Sequence, residues 1–374
     1  MGTLRLLEEL IVGDRHDGEV FACAYTPDGT AVLTAGWDGQ LRFWNVATGD
    51  TITALKASGK PLSACGFTPD GKYWLSGSME GLLGIWHPET RESTLNFVAH
   101  TRPISSIGYA PDGKMLVTTS WDRQIALRKV HKEREGKMLT GHTDIVAGCR
   151  FTPDGKQLLS WSYDGSVRLW EVDAAREIQV LGLHEDRVTA AAMAPDGSLA
   201  VSASRDGTLK LWELRECLEI GAAKLSGEVR SVYFMLDGQA IVTVDANGWL
   251  AVLAVPSFEM HTDLQTGLRP MCSDQSPSGE QFVLGCEDGS LRFVALEGYE
   301  SAPLVVTPSQ TLENTTTFLD RLIGKTRTTT MYHYTCPVCR HAAQVTALPK
   351  QPVVCRMCAR QLRVMSHARQ LQEK

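Results

Sequence analysis

Between residues 142 and 183 the apolar and polar positions fall into four short runs broken by turn residues. Ile145-Val146-Ala147-Gly148-Cys149-Arg150-Phe151 alternates in part, Pro153-Asp154-Gly155 turns the chain, and Gln157-Leu158-Leu159-Ser160-Trp161-Ser162 returns. Tyr163-Asp164-Gly165 turns it again before Val167-Arg168-Leu169-Trp170-Glu171-Val172, and Arg176-Glu177-Ile178-Gln179-Val180-Leu181 supplies a fourth run. Such spacing predicts a four-stranded antiparallel meander. The unit recurs at intervals of 41 or 42 residues, marked by turns at Pro27-Asp28-Gly29, Pro69-Asp70-Gly71, Pro111-Asp112-Gly113, Pro153-Asp154-Gly155, Pro195-Asp196-Gly197, Leu236-Asp237-Gly238 and Pro277-Ser278-Gly279. One four-stranded sheet cannot bury both faces, whereas seven arranged radially can, so the period predicts an all-β array. Arrays of this kind present surface, which counts against an enzyme.

The pattern His…Pro-Asp-Gly…Ser-x-Ser-x-Asp-Gly-x-(Val/Leu)-x-Leu-Trp, over residues 3–307, resembles the WD-repeat family of β-propellers. The resemblance implies a seven-bladed propeller with a hydrogen-bonded His, Ser/Thr, Asp and Trp tetrad in each typical blade. By position, complete tetrads are His16, Thr34, Asp38, Trp44; His142, Ser160, Asp164, Trp170; and His184, Ser202, Asp206, Trp212. A buried His needs a partner for each polar atom, so these are structural residues rather than a catalytic triad. The second repeat lacks the His and has Glu80 for Asp, while the third keeps His100, Thr118 and Asp122 but has Arg128 for Trp. Asn247 and Leu253 replace Asp and Trp in the sixth, and Val294 replaces Trp beside a retained Asp288 in the seventh. Two segments compete to complete the last blade, residues 4–11 and 301–306. The N-terminal one is preferred, because joining first and last elements removes an open edge.

The resemblance also implies that the residue before each turn Asp lies on one partner-binding rim. Those positions are Trp37, Met79, Trp121, Tyr163 and Arg205, the residue types of interface hot spots, with Asp17, Glu19, Glu185 and Arg187 as charged neighbours. Trp161 stands where sister repeats carry Ala35, Gly77 and Thr119, which suits filling a gap between blades, and core packing is also the default for Trp249.

The 374 residues include 37 Lys/Arg and 43 Asp/Glu, divided unevenly. Residues 321–374 hold ten basic residues and one acidic, a formal +9, which leaves 27 against 42, or −15, for residues 1–320. That asymmetry suggests separate partners for the two parts. No apolar run reaches the length of a membrane span, and Met1–Glu9 lacks the features of a secretory signal. Cys23, Cys65, Cys149, Cys217, Cys272 and Cys286 fall at apolar strand positions as small hydrophobes, which predicts a reducing, cytoplasmic setting.

Cys336-Pro337-Val338-Cys339 and Cys355-Arg356-Met357-Cys358 are separated by fifteen residues, a strong signal for one tetrahedral zinc ion. Flanking strand-like segments at 332–334, 343–348 and 362–364 make the module resemble a zinc ribbon. Four thiolates leave no open position, so the Zn2+ is read as structural, with His333 and His341 as spare donors. Arg340, Arg356, Arg360 and Arg363 are candidate nucleic-acid contacts on a basic ribbon. Residues 308–331 read as a linker with a short docking helix carrying Phe318, Leu319, Leu322 and Ile323. Gly324-Lys325-Thr326 is not a phosphate loop, because Leu319 stands where the earlier glycine is needed.

The resulting expectation is a propeller at 1–307, the linker at 308–331 and a zinc ribbon at 332–374. It would serve as a non-catalytic scaffold that joins protein partners in a larger assembly through rim and ribbon, with neither membrane nor small-molecule substrate. The alternative is a nucleic-acid-associated subunit whose ribbon grips phosphate while the propeller recruits protein.

Overall fold

Each Pro-Asp-Gly turn is closed by its own side chains. In the fourth, Thr152 Oγ1 donates to Asp154 Oδ1 (2.6 Å), which also accepts from Lys156 N (3.0 Å), and Gly155 adopts φ +73°. A Cβ at Gly155 would only touch Pro111, whereas one at Gly197 or Gly29 would crowd Pro153 or Pro277; each proline is in the preceding blade, so the turns touch in a ring that runs from the seventh blade into the first.

The computed structural model describes residues 2–7 and 15–299, and beyond them the backbone of six strands, Leu304–Val306, Ser309–Thr315, Arg327–Thr335, Ala342–Val345, Val353–Val354 and Gln361–Val364. Residues 1–300 and 301–374 are separate compact units. The first is an all-β, seven-bladed propeller of seven four-stranded antiparallel sheets. Blades one to six are meanders spanning 20–56, 62–98, 104–139, 146–183, 188–224 and 229–265. The seventh has three strands within 270–297 and takes its outer strand from Thr3–Leu6, paired antiparallel with Leu291–Glu297 from Thr3↔Glu297 to Leu6↔Val294. The N-terminal segment therefore closes the ring, and Leu304–Val306 instead pairs in parallel with Leu362–Val364 of the second unit.

Every innermost strand carries a register shift at its start, as between Val146 and Gly148. The residue left over by such a bulge is free to reach sideways. Ser63 Oγ donates to Ile104 O (2.6 Å), and Ser105 and Thr189 donate to Val146 O and Val229 O, each across a seam between blades. The core lies between neighbouring sheets. Trp161 is buried against Val188 and Ala191 of blade five, the inter-blade filling its neighbours' small residues suggested.

In the second unit, Arg327–Thr335 pairs antiparallel with Ser309–Thr315 and Ala342–Val345. Val353–Val354 pairs antiparallel with Gln361–Leu362. Ser309–Thr315 is thus strand where a linker was expected, because seven residues there pair in register with Arg327–His333. Phe318, Leu319, Leu322 and Ile323 lie outside the described residues. Cys217 also departs from expectation: it sits at φ +56° between Thr208–Glu213 and Leu218–Lys224, in a turn. Among the described residues, no helix is long and apolar enough to cross a membrane.

Candidate protein-interaction surface

In composition, the buried polar clusters imitate a hydrolase. In blade four, His142 Nδ1 lies 3.0 Å from Asp164 Oδ2 and Nε2 lies 2.8 Å from Ser160 Oγ, which accepts Trp170 Nε1 at 2.7 Å. Burial raises the Asp164 pKa, but hydrogen bonds from His142, Ser166 and the Thr143 and Ser166 amides outweigh it and hold the carboxyl well below its usual range. Blade one repeats the set, with Asp38 at 2.9 Å from His16, Thr34 at 2.7 Å, and Trp44 at 2.8 Å from Thr34. Ser160 and Thr34 are wholly buried with their hydroxyls committed to two ring nitrogens, so neither can reach a substrate.

Blade five differs from the expected tetrad. His184 Nε2 meets Ser202 Oγ (2.7 Å) and Trp212 Nε1 donates to the same oxygen (2.9 Å), but His184 Nδ1 meets Thr208 Oγ1 at 2.7 Å rather than Asp206. Asp206 accepts Thr208 N, and its buried Oδ2 has no hydrogen-bond partner. The cause is the hydroxyl two residues after the Asp, which in blade five comes between acid and ring; Ser166 in blade four reaches both Asp164 and His142 without separating them. Deprived of direct contact with the carboxylate, His184 is pushed down to about 4 by burial first and Lys210 second.

Blade three solves the missing Trp differently. Arg128 is buried, donates to Ala99 O (2.9 Å) and Glu133 O (3.3 Å), and lies 5.4 Å from the Phe97 ring centroid. Burial lowers its pKa. Blade two keeps only Trp86 Nε1 on Ser76 Oγ (2.8 Å).

The rim positions share one geometry. The amides of Trp37, Met79, Trp121, Tyr163 and Arg205 donate to the carbonyls of Glu19, Pro61, Pro103, Ile145 and Arg187, just before each innermost strand. All five therefore stand at the end of the propeller opposite the Pro-Asp-Gly turns. Trp37 is 54% exposed and Trp121 40%, while Met79 and Tyr163 are half-buried. The Phe21 ring supports Trp37 at 6.0 Å, and Arg187 lies 4.9 Å from the Tyr163 centroid. Arg205 is exposed and meets Glu228 at 3.8 Å; Asp17, Glu185 and Arg187 are exposed on the same rim. The corresponding residues of blades six and seven are Ala246 and Glu287, so large apolar or aromatic side chains occupy this position only in the first four blades.

The innermost strands enclose an axial cavity of about 570 Å³, lined by Ser63, Ser105, Ser231, Ser273, Arg150 and Asp274 among others. Burial pushes the Asp274 carboxyl up, against the hydrogen bond from Tyr25 N (2.8 Å), and it pushes the Cys23 and Cys65 thiols up as well. All six propeller cysteines are free. Trp249, half-buried, hands its indole N–H to Asp263 Oδ2 (2.8 Å), and sequence reasoning had no signal for that contact.

Cys336, Cys339, Cys355 and Cys358 lie outside the described residues, as do Arg340, Arg356 and Arg360; Arg363 is in the strand Gln361–Val364. Among the described residues, no group of three or more His, Cys, Asp or Glu is placed to hold a metal.

Compared with known families, residues 8–45, 49–87, 91–127, 134–171 and 175–213 match the model of the WD domain, G-beta repeat, just over half of the chain. The matches end with the third strand of blade five, where the Trp signature ends. No curated protein matches the chain.

Proposed function

The chain belongs to the WD domain, G-beta repeat family, and from that premise we propose that it is a non-catalytic scaffold that binds protein partners on the rim carrying Trp37, Met79, Trp121 and Tyr163. Propellers of this family are commonly protein-interaction scaffolds. The observation that carries the proposal is the exposure of Trp37 and Trp121 on one rim, with Met79 between them and Tyr163 beyond. Large apolar rings left in water are costly, and aromatic side chains dominate interface energetics. The test is affinity purification from the native cell of wild type and Trp37→Ala/Trp121→Ala, with half of each sample treated with nuclease. Proteins retained after nuclease but lost from the variant support the rim; recovery indifferent to the substitutions counts against it.

The second unit extends the reading. Four thiolates in two Cys-x-x-Cys pairs suit one structural Zn2+, which would supply folding energy and no chemistry. In support, each pair falls between two strands that pair antiparallel, Arg327–Thr335 with Ala342–Val345 and Val353–Val354 with Gln361–Val364. One equivalent of zinc in the purified chain, lost in Cys336→Ser/Cys355→Ser, is the expected result. The formal +9 of residues 321–374 favours nucleic acid as a second partner class, whose binding would weaken steeply with salt. The free propeller thiols fit a cytoplasmic setting.

A further inference from the structure

At the Pro-Asp-Gly end of the propeller, away from the rim, a cleft of about 550 Å³ opens between blades two and three. Tyr73, Ile85 and Leu95 of blade two and Tyr109 of blade three line it, with Asp70 and Glu133 contributed from opposite sides. The cleft coincides with an irregular part of the repeat. Blade three's outer strand, Gly136–Leu139, has four residues, as does the Thr3–Leu6 strand that closes blade seven, whereas the other blades close with outer strands of six to eight. Before it, Arg128 turns inward and grips Glu133 O, and the Glu133 carboxylate accepts His131 N at 2.8 Å. A second arginine, Arg134, lies over the same ring as Arg128, 5.5 Å from the Phe97 centroid. The turn that carries Glu133 is thus held in place.

The two carboxylates line the cleft together with the Tyr109 phenol. Tyr109 is pushed up to about 12, by burial first and then by Glu133 and Asp70. No Lys or Arg lines the cleft, and Lys72, largely exposed, meets Asp70 only at 3.8 Å. Beside His131, an apolar floor therefore ends in two carboxylates offset only by the exposed Lys72, the complement of an apolar side chain followed by a cation.

We propose that the cleft is a second docking site, for a partner-protein segment that carries an Arg or Lys next to an apolar residue. The apolar side chain would rest on Tyr73, Ile85 and Leu95. The cation would lie between Asp70 and Glu133, with the Tyr109 hydroxyl oxygen accepting a further hydrogen bond. This site is independent of the rim and faces the other way, so one propeller can hold two proteins at once.

The test is selection of a displayed random-heptapeptide library on the full chain. The expected result is enrichment of peptides with Arg or Lys beside an apolar residue. They should bind Asp70→Asn/Glu133→Gln at least tenfold more weakly and Trp37→Ala/Trp121→Ala unchanged. The Asn keeps the Oδ1 acceptor that closes the turn at Thr68 and Lys72 N. If the double variant melts below wild type, Thr94→Trp decides, since it fills the cleft from an exposed outer-strand position. Enriched peptides lacking a basic residue, peptides bound equally by wild type and cleft variants, or no cleft-dependent peptide at all would each overturn the proposal.

Discussion

Blades four and six share a backbone and hold it with different chemistry. Both carry the bulge at the head of the innermost strand and the same antiparallel order. Blade four fixes its interior with His142, Ser160, Asp164 and Trp170. In blade six Leu225 takes the His place, its amide donating to Gly207 O as His184 N does to Gly165 O, and Leu253 takes the Trp place. The turn is capped from two residues upstream, where Asp245 Oδ1 accepts Asn247 N and Trp249 N, both at 2.8 Å. Thr243 keeps its position but has lost both donors, and its buried hydroxyl has no partner. A blade therefore needs filled volume and a capped turn, and the tetrad is one way to supply them.

The sharpest way to break that comparison is at the turn position itself. Asp164→Ala leaves a buried imidazole and two backbone amides without their acceptor and should cost about 3–5 kcal/mol by denaturant unfolding. Asn247→Ala, at the same place in blade six, removes an exposed side chain and should cost under about 0.5 kcal/mol. An Asp164→Ala protein that melts like wild type yet loses partner binding would overturn the structural role.

Acid should find blade five next. His184 is held at about 4 in the fold against an ordinary value near 6.5, so the unfolded chain takes up its proton first as pH falls. Stability is complete above pH 6.5 and should decline by at most about 3 kcal/mol toward pH 4. Melting curves of His184→Gln should be flatter across that window. The smallest effect has the opposite sign: Thr243→Val keeps the shape and removes the orphaned hydroxyl, and should stabilise by about 1 kcal/mol. Thr34→Val, which deprives His16 and Trp44 of their shared oxygen, should destabilise.

What the sequence made legible follows from the same contrast. The period, the turns and the preferred closing strand could be read because glycine at positive φ and alternation along strands leave marks in any blade. Blades six and seven were readable by spacing alone, since Leu225, Leu253 and Val294 are apolar residues like any other core positions. Thr208 did carry a signal, a hydroxyl two residues past the Asp, but its power to separate acid from imidazole depends on rotamer and not on order along the chain. The rim is legible as a spacing, whereas the cleft is not: it joins residues of two blades and two carboxylates 63 positions apart.

The closing strand has a consequence for how the protein is made. Thr3–Leu6 leaves the ribosome before any of the seven inner sheets, yet its partner, Leu291–Glu297, is translated only after six blades. Blade one waits equally long, because Val20, Val32 and Trp44 are covered by Val283, Leu291 and Phe293 of blade seven. The first strand of the ring to emerge is thus the last to be housed, and a nascent chain carries an open apolar flank until translation of the ring is complete.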